Sequence, residues 1–533
     1  MKRAVDGLSS REFDVLVVGG GIVGACVARD AALRGLDVAL IDRADFGGGA
    51  SANCLKIVHG GLRYLQHLNV RRMRASIRER TAWLRIAPHL VEPMPFVLPI
   101  YGRGLERRSV YRVALAINDA LSWDRNDGLP RERWLPRGRL LAREECVALV
   151  PQLDSPALQG GALVYDAQMY SPERLVLEVV LDACGAGAIA ANHVECVAPL
   201  YRGGRLAGVR VRDRLDGRRH DVRARVVVLA AGAAAPGLVA LLLGRDVPLP
   251  PFSLAMNLVA PALGPRVGFA VPSPGGRKLF VAPWRGRTLV GTAHYTYDGD
   301  PWAPHAERYV ERFLDEVNRS IPGWGLERDD IALVHRGQVP LEPGGGGGRR
   351  GASGNVAAEP VLLRHHRIVD HTADGAPGLL TVVAEKFTTA RRIAEEVVDR
   401  VFRKLGRPSP PCVTAEVPLP GAPRSAYALL EDAARHYAGL DPELRDALVR
   451  TYGRRYVHVL GAPTGDLDRE ALLRREFAFA MRNEMACGPG DLLARRAHLG
   501  ARGLDDPVAE RIARELTSAR ASGAAAVPAS GAA

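Results

Sequence analysis

A glycine-rich turn between a strand and a helix, close to the N-terminus, restricts the fold of this chain more than any other feature. Residues 13–18 form a mostly apolar, β-branched run typical of a buried parallel strand, and residues 22–34 follow with a helical pattern. Residues 37–41 predict the next strand, which completes a βαβ unit. The turn reads Gly19-Gly20-Gly21-Ile22-Val23-Gly24 and fits the G-x-G-x-x-G motif of dinucleotide-binding domains.

Three glycines of this motif have separate roles in such a domain. Gly19 allows the tight turn, Gly21 lets the backbone approach a pyrophosphate, and Gly24 lets the helix pack closely on the strand. The start of the helix then offers unpaired N–H groups to the dianionic linker. Asp42 ends the second strand, where it is placed to accept hydrogen bonds from the adenosine ribose. The sequence therefore predicts a dinucleotide site at this turn.

A second strand-then-glycine pattern appears late in the chain, at residues 226–231, and ends at Gly232. FAD proteins of this architecture return such a strand to the cofactor, whereas a simple NAD domain is complete by then. The pattern favours FAD; the alternative for this segment alone is an ordinary buried strand. Pro236 and Gly237 interrupt the longer apolar run that follows, which predicts a turn and a short helix rather than a membrane span.

The composition excludes several classes of protein. A chain of 533 residues with 47% hydrophobic and 25% charged residues is expected to form two or three globular domains. Its seven cysteines are scattered without a C-x-x-C pair, which argues against disulfides or a zinc site and fits a cytoplasmic location. The net charge of +13 comes mainly from dispersed arginines, and no nucleic-acid-binding module accompanies it, so we expect no nucleic-acid partner. A generally arginine-rich chain, an anionic membrane surface and an anionic substrate remain as explanations of the charge.

A short segment from Lys56 to Tyr64 combines features suited to a cofactor with features suited to a substrate. Gly60 and Gly61 let the backbone approach something flat and bulky. Arg63 and Tyr64 follow at once, and their side chains are suited to hold an anionic, hydroxylated ligand. The segment therefore predicts that the cofactor and the substrate contact one short stretch of chain.

The rest of the chain predicts a helix, an irregular segment, a hairpin and a helical C-terminal part. The segments are a helix over residues 70–84, an irregular stretch opened by Pro88, Pro93, Pro95 and Pro99, a helix over 174–185, a hairpin from 280–284 and 288–292, a solvated loop at 344–348, helices from 411 onward, and a disordered tail over 518–533. Residues 109–123 place apolar residues beside arginines. This amphipathic segment predicts either contact with anionic lipid or packing on the protein's own core.

Taken together, these motifs resemble the FAD-dependent glycerol-3-phosphate dehydrogenase family, within the D-amino-acid-oxidase-like flavoenzymes. The resemblance spans residues 14–500 and is strongest at Lys56–Tyr64 and at Lys386–Arg391. It is supported by the glycine motif and by residues 87–90, 280–284, 291–292, 328–331, 450–453 and 484–486.

The resemblance implies an α/β (α+β overall) fold in which an FAD-binding Rossmann-like domain carries an inserted β-rich substrate domain. The expected FAD-binding parts are about 12–95, 160–245 and 355–405, within a region covering residues 1–410; the substrate-domain parts are about 96–159 and 246–354. A C-terminal helical domain is expected over 411–517.

In that family a secondary alcohol is oxidised, with hydride passing to flavin N5 and electrons passing on to a membrane quinone. The resemblance implies that Arg63, Tyr64, Arg364 and Lys386 line the substrate pocket and that Arg63 and Lys386 also serve catalysis. The expected cofactor contacts are Gly19, Gly21, Gly24, Asp42, Lys56, His59, Gly60, Gly61, Gly232 and Thr388.

The substrate pocket departs from the family pattern. Asn257 stands where the family usually has a histidine, Val339 where it has an arginine, and His294 where it has an aspartate. Asn257 cannot take a proton, so His294 is the first candidate for the base, followed by His59 and His335. The histidines at 365, 366 and 371 match no standard metal site, and no metal is expected.

Three functions follow as hypotheses. The first is oxidation of sn-glycerol 3-phosphate to dihydroxyacetone phosphate at the inner face of a membrane, with quinone as acceptor and a homodimer left open. The second is a flavin dehydrogenase or oxidase of the same fold with another hydroxy or amino substrate. The third is a catalytically silent FAD-binding membrane or interaction protein. Reduction of the flavin by a panel of substrates discriminates them.

Overall fold

In the computed structural model, two β-sheets and the helices between their strands extend to β17 at residue 383, and the chain after this strand is helical. The structure describes residues 1–102, 107–297, 299–344, 360–461, 468–499 and 506–521, without the side chains of Arg63, Gln66, His67 and Ala521.

The strands are β1 Glu12–Val18, β2 Val38–Ile41, β3 Ile57–Val58, β4 Val91–Ile100, β5 Arg139–Leu141, β6 Gly160–Met169, β7 Ile189–Ala191, β8 Val194–Arg202, β9 Arg205–Asp213, β10 Arg219–Leu229, β11 Phe252–Ala260, β12 Gly268–Pro272, β13 Lys278–Trp284, β14 Arg287–Tyr295, β15 Leu333–Pro340, β16 Arg367–Asp370 and β17 Leu379–Val383. The α-helices are α1 Ile22–Leu33, α2 Val70–Ile86, α3 Arg108–Leu121, α4 Arg143–Leu149, α5 Pro172–Gly185, α6 Ala235–Leu243, α7 Glu307–Ser320, α8 Ala390–Leu405, α9 Ala426–His436, α10 Pro442–Tyr452, α11 Tyr456–Leu460, α12 Arg469–Asn483, α13 Pro489–Asp491 and α14 Pro507–Ala521.

The first sheet is doubly wound and confirms the predicted βαβ unit. Its order is β16-β17-β10-β1-β2-β7, with β17, β10, β1, β2 and β7 parallel. Alternate residues face opposite layers: Val15 and Val17 pack with α1, α5 and α8, whereas Leu16 and Val18 pack with β8, β9 and α6. Both faces are therefore buried, and the strand order reverses between β1 and β10, where dinucleotides bind in folds of this kind.

The second sheet forms the β-rich domain, in the order β15-β11-β14-β13-β12-β4-β6-β3 with β5 beside β6. The predicted hairpin is confirmed, since β13 and β14 pair antiparallel. One face of the β11–β15 end packs on α7 through residues such as Met256, Leu258 and Val334. The opposite face presents Asn257 and its neighbours to the first domain.

The expected irregular segment after Pro88 is wrong, because residues 91–100 form β4 and pair along their whole length with β6. Leu90 and Ile100 accept hydrogen bonds from the β6 side, so even-numbered residues of β4 direct their backbone groups to β6. Pro93, Pro95 and Pro99 occupy odd positions, where the missing N–H faces away from that partner. Proline spacing of two is thus compatible with a strand that pairs fully on one side and meets β12 only at Phe96 and Val97 on the other.

The strand pairing also corrects parts of the expected boundaries. Residues 91–95 and 160–169, expected in the FAD-binding domain, pair within the second sheet as β4 and β6. Helix α14 continues to Ala521, so residues 518–521 of the expected disordered tail are helical. Residues 345–348 of the expected loop and 522–533 of the tail lie outside the described residues, and the other boundaries stay predictions.

A network of buried ion pairs joins the C-terminal helices to the first domain. Arg174 of α5 makes a bidentate contact with Glu484, at 2.7 Å for both bonds, and a 3.0 Å bond to Glu178. Arg455 bridges the same two glutamates at 3.1 Å each. Arg174, Glu178 and Glu484 are at most 1% exposed, so each charge depends on its partners for solvation.

Arg174→Met is expected to destabilise the protein by about 3–5 kcal/mol, because it leaves two buried carboxylates short of a cation. Arg514→Met, which removes the exposed Arg514–Glu510 pair of α14, is the control and should change stability little. Urea unfolding followed by fluorescence measures both, and equal midpoints for the two variants would contradict the prediction.

Candidate functional site

The glycine turn after β1 lies against the turn after β10, at the carboxyl ends of neighbouring strands. Gly19 has φ of +109°, and an added Cβ there would approach the Ala230 carbonyl oxygen at 2.6 Å. At Gly24 an added Cβ would overlap the Gly19 carbonyl oxygen. Gly232 follows β10 with φ of +54°. Because the turn after β1 has no room for side chains at Gly19 and Gly24, a ligand can approach the backbone directly there.

The N-terminus of α1 is open for an anionic ligand. Its N-cap is Gly21, which has no side chain to cap the helix, so N–H groups of the first turn after Ile22 remain available. The Ile22 N–H donates to Ser51 Oγ at 3.0 Å, which brings residues 47–51 over this turn. Asp42 accepts from the Gly20 and Ala44 N–H groups at 2.6 and 2.8 Å. Burial raises the pKa of Asp42, and these two bonds partly offset that effect.

These residues fit the adenosine diphosphate part of a dinucleotide. The crowded glycines, the uncapped helix start and an acid at the end of β2 are the groups that this fold uses for pyrophosphate and ribose. The arrangement gathers five predicted residues: Gly19, Gly21, Gly24, Asp42 and Gly232.

The segment from Lys56 to Tyr64 crosses from the second sheet to the first domain. It begins in β3, which pairs with β6, and the His59 N–H then donates to Thr388 Oγ1 at 3.4 Å. Thr388 is buried, and its carbonyl accepts from the Trp83 indole at 3.0 Å. Gly61 adopts φ of +80° and starts a 3-10 turn over residues 62–67. The predicted residues His59, Gly60, Gly61 and Thr388 thus lie together.

A cluster of cations adjoins this segment. Lys386, just after β17, donates to Tyr64 Oη at 2.7 Å and to Ser76 Oγ at 3.3 Å. Arg72 and Lys386 lie 4.5 and 4.6 Å from the Tyr64 ring centroid, within cation–π range. Arg72 also pairs with Glu385 at 3.1 Å. Two of the predicted substrate residues, Tyr64 and Lys386, are therefore in direct contact.

The pKa shifts show that this region is desolvated and positive. Burial, together with the charges of Lys386, Arg72 and Arg80, lowers the pKa of His59 to about 3. Burial lowers the pKa of Lys386 to about 8, with Glu385 opposing and Arg72 reinforcing the shift. An anion entering this region would meet little competition from water and a net positive potential.

Asp166 and Arg80 complete the support for the Gly60–Gly61 turn, and no sequence motif predicts either residue. Asp166 of β6 accepts from the Gly60 N–H and from Arg80, both at 2.6 Å. An added Cβ at Gly60 would meet Arg80 Nη1 at 2.5 Å. Residues from three distant parts of the sequence therefore fix this turn, and only their pairing in three dimensions identifies them.

A further set of predicted site residues lies on the face of the second sheet that is turned toward the first domain. Asn257 pairs across the sheet with His335, and Ala255, two residues before it on the same face, pairs with His294. Asn257 accepts from Thr292 Oγ1 at 2.8 Å and donates to the Asn53 carbonyl at 3.3 Å. His335 faces Asn53 Oδ1 at 3.3 Å, and burial lowers its pKa well below the ordinary value. Val339 lies on the same face.

Lys56 is enclosed by protein groups. Its side chain is fully buried, donates to the Ala52 carbonyl at 2.5 Å and lies 4.9 Å from the Trp284 ring centroid. Its nearest carboxylate is Glu173 at 3.9 Å. The ammonium thus holds residues 52–56 against the second sheet, and its predicted contact with the cofactor stays a prediction.

Arg364 stands apart from the cluster, and the Arg63 side chain lies outside the described part of the structure. Arg364 is exposed, and its N–H donates to Glu342 at 2.8 Å. The register of β16 and β17 pairs Arg367 with Val383, so Arg364 lies at the end of the sheet where Lys386 follows β17. The pocket roles of both arginines stay predictions.

Two of the three clustered histidines, His366 and His371, have structural partners. His366 contacts Glu396 at 2.9 Å, and buried His371 contacts Asp374 and Thr381 at 2.8 and 2.9 Å. His193, Cys487 and Asp491 lie near one another, but Asp491 Oδ2 already accepts from the Cys487 and Gly488 N–H groups.

Comparison with known proteins identifies the class. Residues 14–399 match the model of the FAD-dependent oxidoreductase family, and residues 412–520 match that of the C-terminal domain of alpha-glycerophosphate oxidase. The chain belongs to the FAD-dependent oxidoreductase family, and FAD is its cofactor.

Individual relatives identify a narrower family within this class. A glycerol-3-phosphate dehydrogenase of Synechocystis sp. is 32% identical over 92% of this chain and 89% of its own. Glycerol-3-phosphate dehydrogenase 1 of Mycobacterium bovis is 32% identical over 95% of both chains. The FAD complex of the Bacillus halodurans glycerol-3-phosphate dehydrogenase superposes with a TM-score of 0.72 at 25% identity, covering 94% of this chain and 89% of that one. The chain is a member of the FAD-dependent glycerol-3-phosphate dehydrogenase family.

Gly24→Ala is expected to weaken FAD binding at least about tenfold, because the new methyl group pushes α1 away from β1 and the pyrophosphate site. Gly185→Ala at the end of α5 is the control, since an added Cβ there meets nothing within 4 Å. Titration of each apoprotein with FAD measures the affinity, and an unchanged affinity for Gly24→Ala with normal circular dichroism would contradict the prediction.

Proposed function

We propose that this enzyme oxidises the secondary alcohol of sn-glycerol 3-phosphate to dihydroxyacetone phosphate. The observation that carries the proposal is the contact of Lys386 with Tyr64, beside the Gly60–Gly61 turn, in a region of positive potential. A substrate with a phosphate and a neighbouring hydroxyl matches this combination of an ammonium, a phenol and backbone. The names of the relatives point to the same substrate.

The cationic cluster would hold the phosphate. Lys386 presents an ammonium that Tyr64 and Ser76 orient, and Arg72 adds a second positive charge over the same ring. Burial of Lys386 strengthens its attraction for an anion because little water screens it. We infer that Arg63, next to Tyr64, and Arg364, at the same end of the first sheet as Lys386, add further contacts to the phosphate.

Oxidation also needs an acceptor for the hydroxyl proton. Bound FAD supplies the hydride acceptor, and the protein must supply the base. Low pKa values make His59 and His335 poor proton acceptors near neutral pH. We therefore assign the base to His294, on the sheet face that also bears Asn257.

Asn257 and Val339 support a second candidate for the substrate class. They make the sheet wall neutral where the family pattern places a histidine and an arginine, so phosphate recognition depends on the Lys386 side of the pocket. A different hydroxy or amino substrate is the alternative that this wall favours, because an amide can bind a neutral polar group.

Anaerobic mixing tests the substrate. We expect sn-glycerol 3-phosphate to bleach the flavin faster than glycerol, 2-hydroxy acids or amino acids do. Faster bleaching by another member of the panel would establish the alternative substrate, and no bleaching by any of them would indicate a catalytically silent protein.

Lys386→Met should lower kcat/KM for glycerol 3-phosphate by about 10²–10³, through loss of a desolvated ion contact.

Substitutions at Lys386 should also change how kcat/KM depends on pH. Lys386 is charged below its pKa of about 8, so kcat/KM should fall as pH rises through that value. Lys386→Arg should move the fall to higher pH, because arginine keeps its charge. Lys404→Met on the outer face of α8 is the control and should leave the profile unchanged.

We further propose that the enzyme binds the inner face of a membrane through α3 and passes electrons to quinone there. Val113 and Ile117, four residues apart on one face of α3, are 59% and 42% exposed, while Leu115 on the other face is buried. Trp123, just after the helix, is 75% exposed. Arg107 and Arg112 flank them and suit anionic lipid. Helix α3 also packs against residues 62–67, so this surface adjoins the segment that bears Tyr64. Among the described residues, no helix is long and apolar enough to span a bilayer.

The double change Val113→Asn with Ile117→Asn should reduce binding to phosphatidylglycerol vesicles about tenfold, because it removes the apolar contact area. Leu241→Asn, at a residue 42% exposed on α6, is the control. Vesicle sedimentation measures the bound fraction. Equal binding by the unmodified enzyme, the double variant and Leu241→Asn would contradict this docking surface.

Formation of a homodimer stays a prediction, which gel filtration can test.

A further inference from the structure

Arg495 belongs to the C-terminal domain but lies against the loop that covers the cofactor turn. It occupies a π-helical turn, Leu492–Arg496, after α13. An added Cβ at Gly48 would meet Arg495 Nη2 at 3.6 Å, so the guanidinium contacts the loop over residues 47–51. This is the loop whose Ser51 accepts from the first N–H of α1.

The carboxylates nearest to Arg495 are committed to other groups. Asp45 accepts two bonds from Arg496, at 2.6 and 2.7 Å, and one from Asn192 at 2.8 Å. Asp491 contacts His193 at 3.0 Å. Arg495 approaches these two carboxylates only to 3.7 and 3.9 Å, beyond hydrogen-bond distance.

Arg495 consequently has hydrogen-bonding capacity to spare. Its Nε is buried and without a hydrogen-bond partner among the described residues. Its side chain is 24% exposed, so part of it remains accessible to a ligand from solvent. A buried, unpaired N–H is costly unless a ligand satisfies it.

The charge of Arg495 also reaches the predicted ribose site. It lowers the pKa of Asp42, in opposition to the larger effect of burial. Arg495 therefore acts on the acid at the end of β2 and on the loop at the start of α1, the two places where adenosine diphosphate binds in this fold.

We propose that Arg495 is a cofactor-binding residue, contributed by the C-terminal domain, that donates to the pyrophosphate of FAD. Two phosphate charges lie where this fold places the linker, and a guanidinium can donate two parallel bonds to such a group. The proposal rests on FAD binding and not on the proposed substrate. It links occupancy of the nucleotide site to the seating of the C-terminal helices.

The test measures ligand affinity of the apoprotein with FAD, ADP and adenosine as probes. Arg495→Met should weaken FAD and ADP by about 10- to 100-fold and should leave adenosine within about twofold, because adenosine lacks phosphate. Arg495→Lys should recover part of the loss. Arg482→Met, at an exposed arginine of α12, is the control and should match the unmodified protein.

Two outcomes would overturn the proposal. Unchanged FAD and ADP affinity, with or without a lower melting temperature, would show that Arg495 only joins the domains. Equal weakening of ADP and adenosine would show that the substitution disturbs the loop without removing a phosphate contact. Neither readout depends on turnover, so a failure of the proposed substrate leaves this test intact.

Discussion

Buried charges that must find partners determine how the domains of this enzyme meet. Arg496 and Asp45 are both fully buried and form a bidentate pair, which ties the C-terminal domain to the segment after β2. Arg174 and Glu484 do the same on α5. Separating either pair would leave charges in a medium of low polarity, at a cost of several kcal/mol. The loop over residues 47–51, which follows Asp45 in the chain, is therefore joined to the C-terminal domain by a buried ion pair.

The cofactor half of the molecule was predictable from the sequence because it depends on local patterns. A strand, a glycine turn and a helix specify the geometry around Gly19 and Gly24 without help from distant residues. The segment from Lys56 to Tyr64 was recognisable for a related reason, since its glycines and polar residues are contiguous. Family resemblance added Lys386 and Thr388, and the fold brings both to that segment.

Other parts of the site arise from pairings that no local pattern encodes. Asp166 and Arg80 hold the Gly60 turn from another sheet and another helix. The proline-rich stretch from residue 91 was mistaken for an irregular segment because proline usually disfavours strands, and only the side on which β6 pairs makes it tolerable. The low pKa of His59 likewise results from burial and from three cations that are distant in sequence.

The alternating prolines of β4 have a mechanical consequence for the active site. On the side away from β6, β4 meets β12 only at Phe96 and Val97, so few backbone bonds cross between the two halves of the second sheet. Asn257 and His294 belong to one half, while Asp166 and the Gly60 turn belong to the other. The Phe96 and Phe280 rings make an edge contact across this seam, with 6.1 Å between their centroids. The spacing of the two walls of the pocket thus depends on side-chain packing across this seam more than on backbone pairing, and the two rings belong to an apolar cluster there.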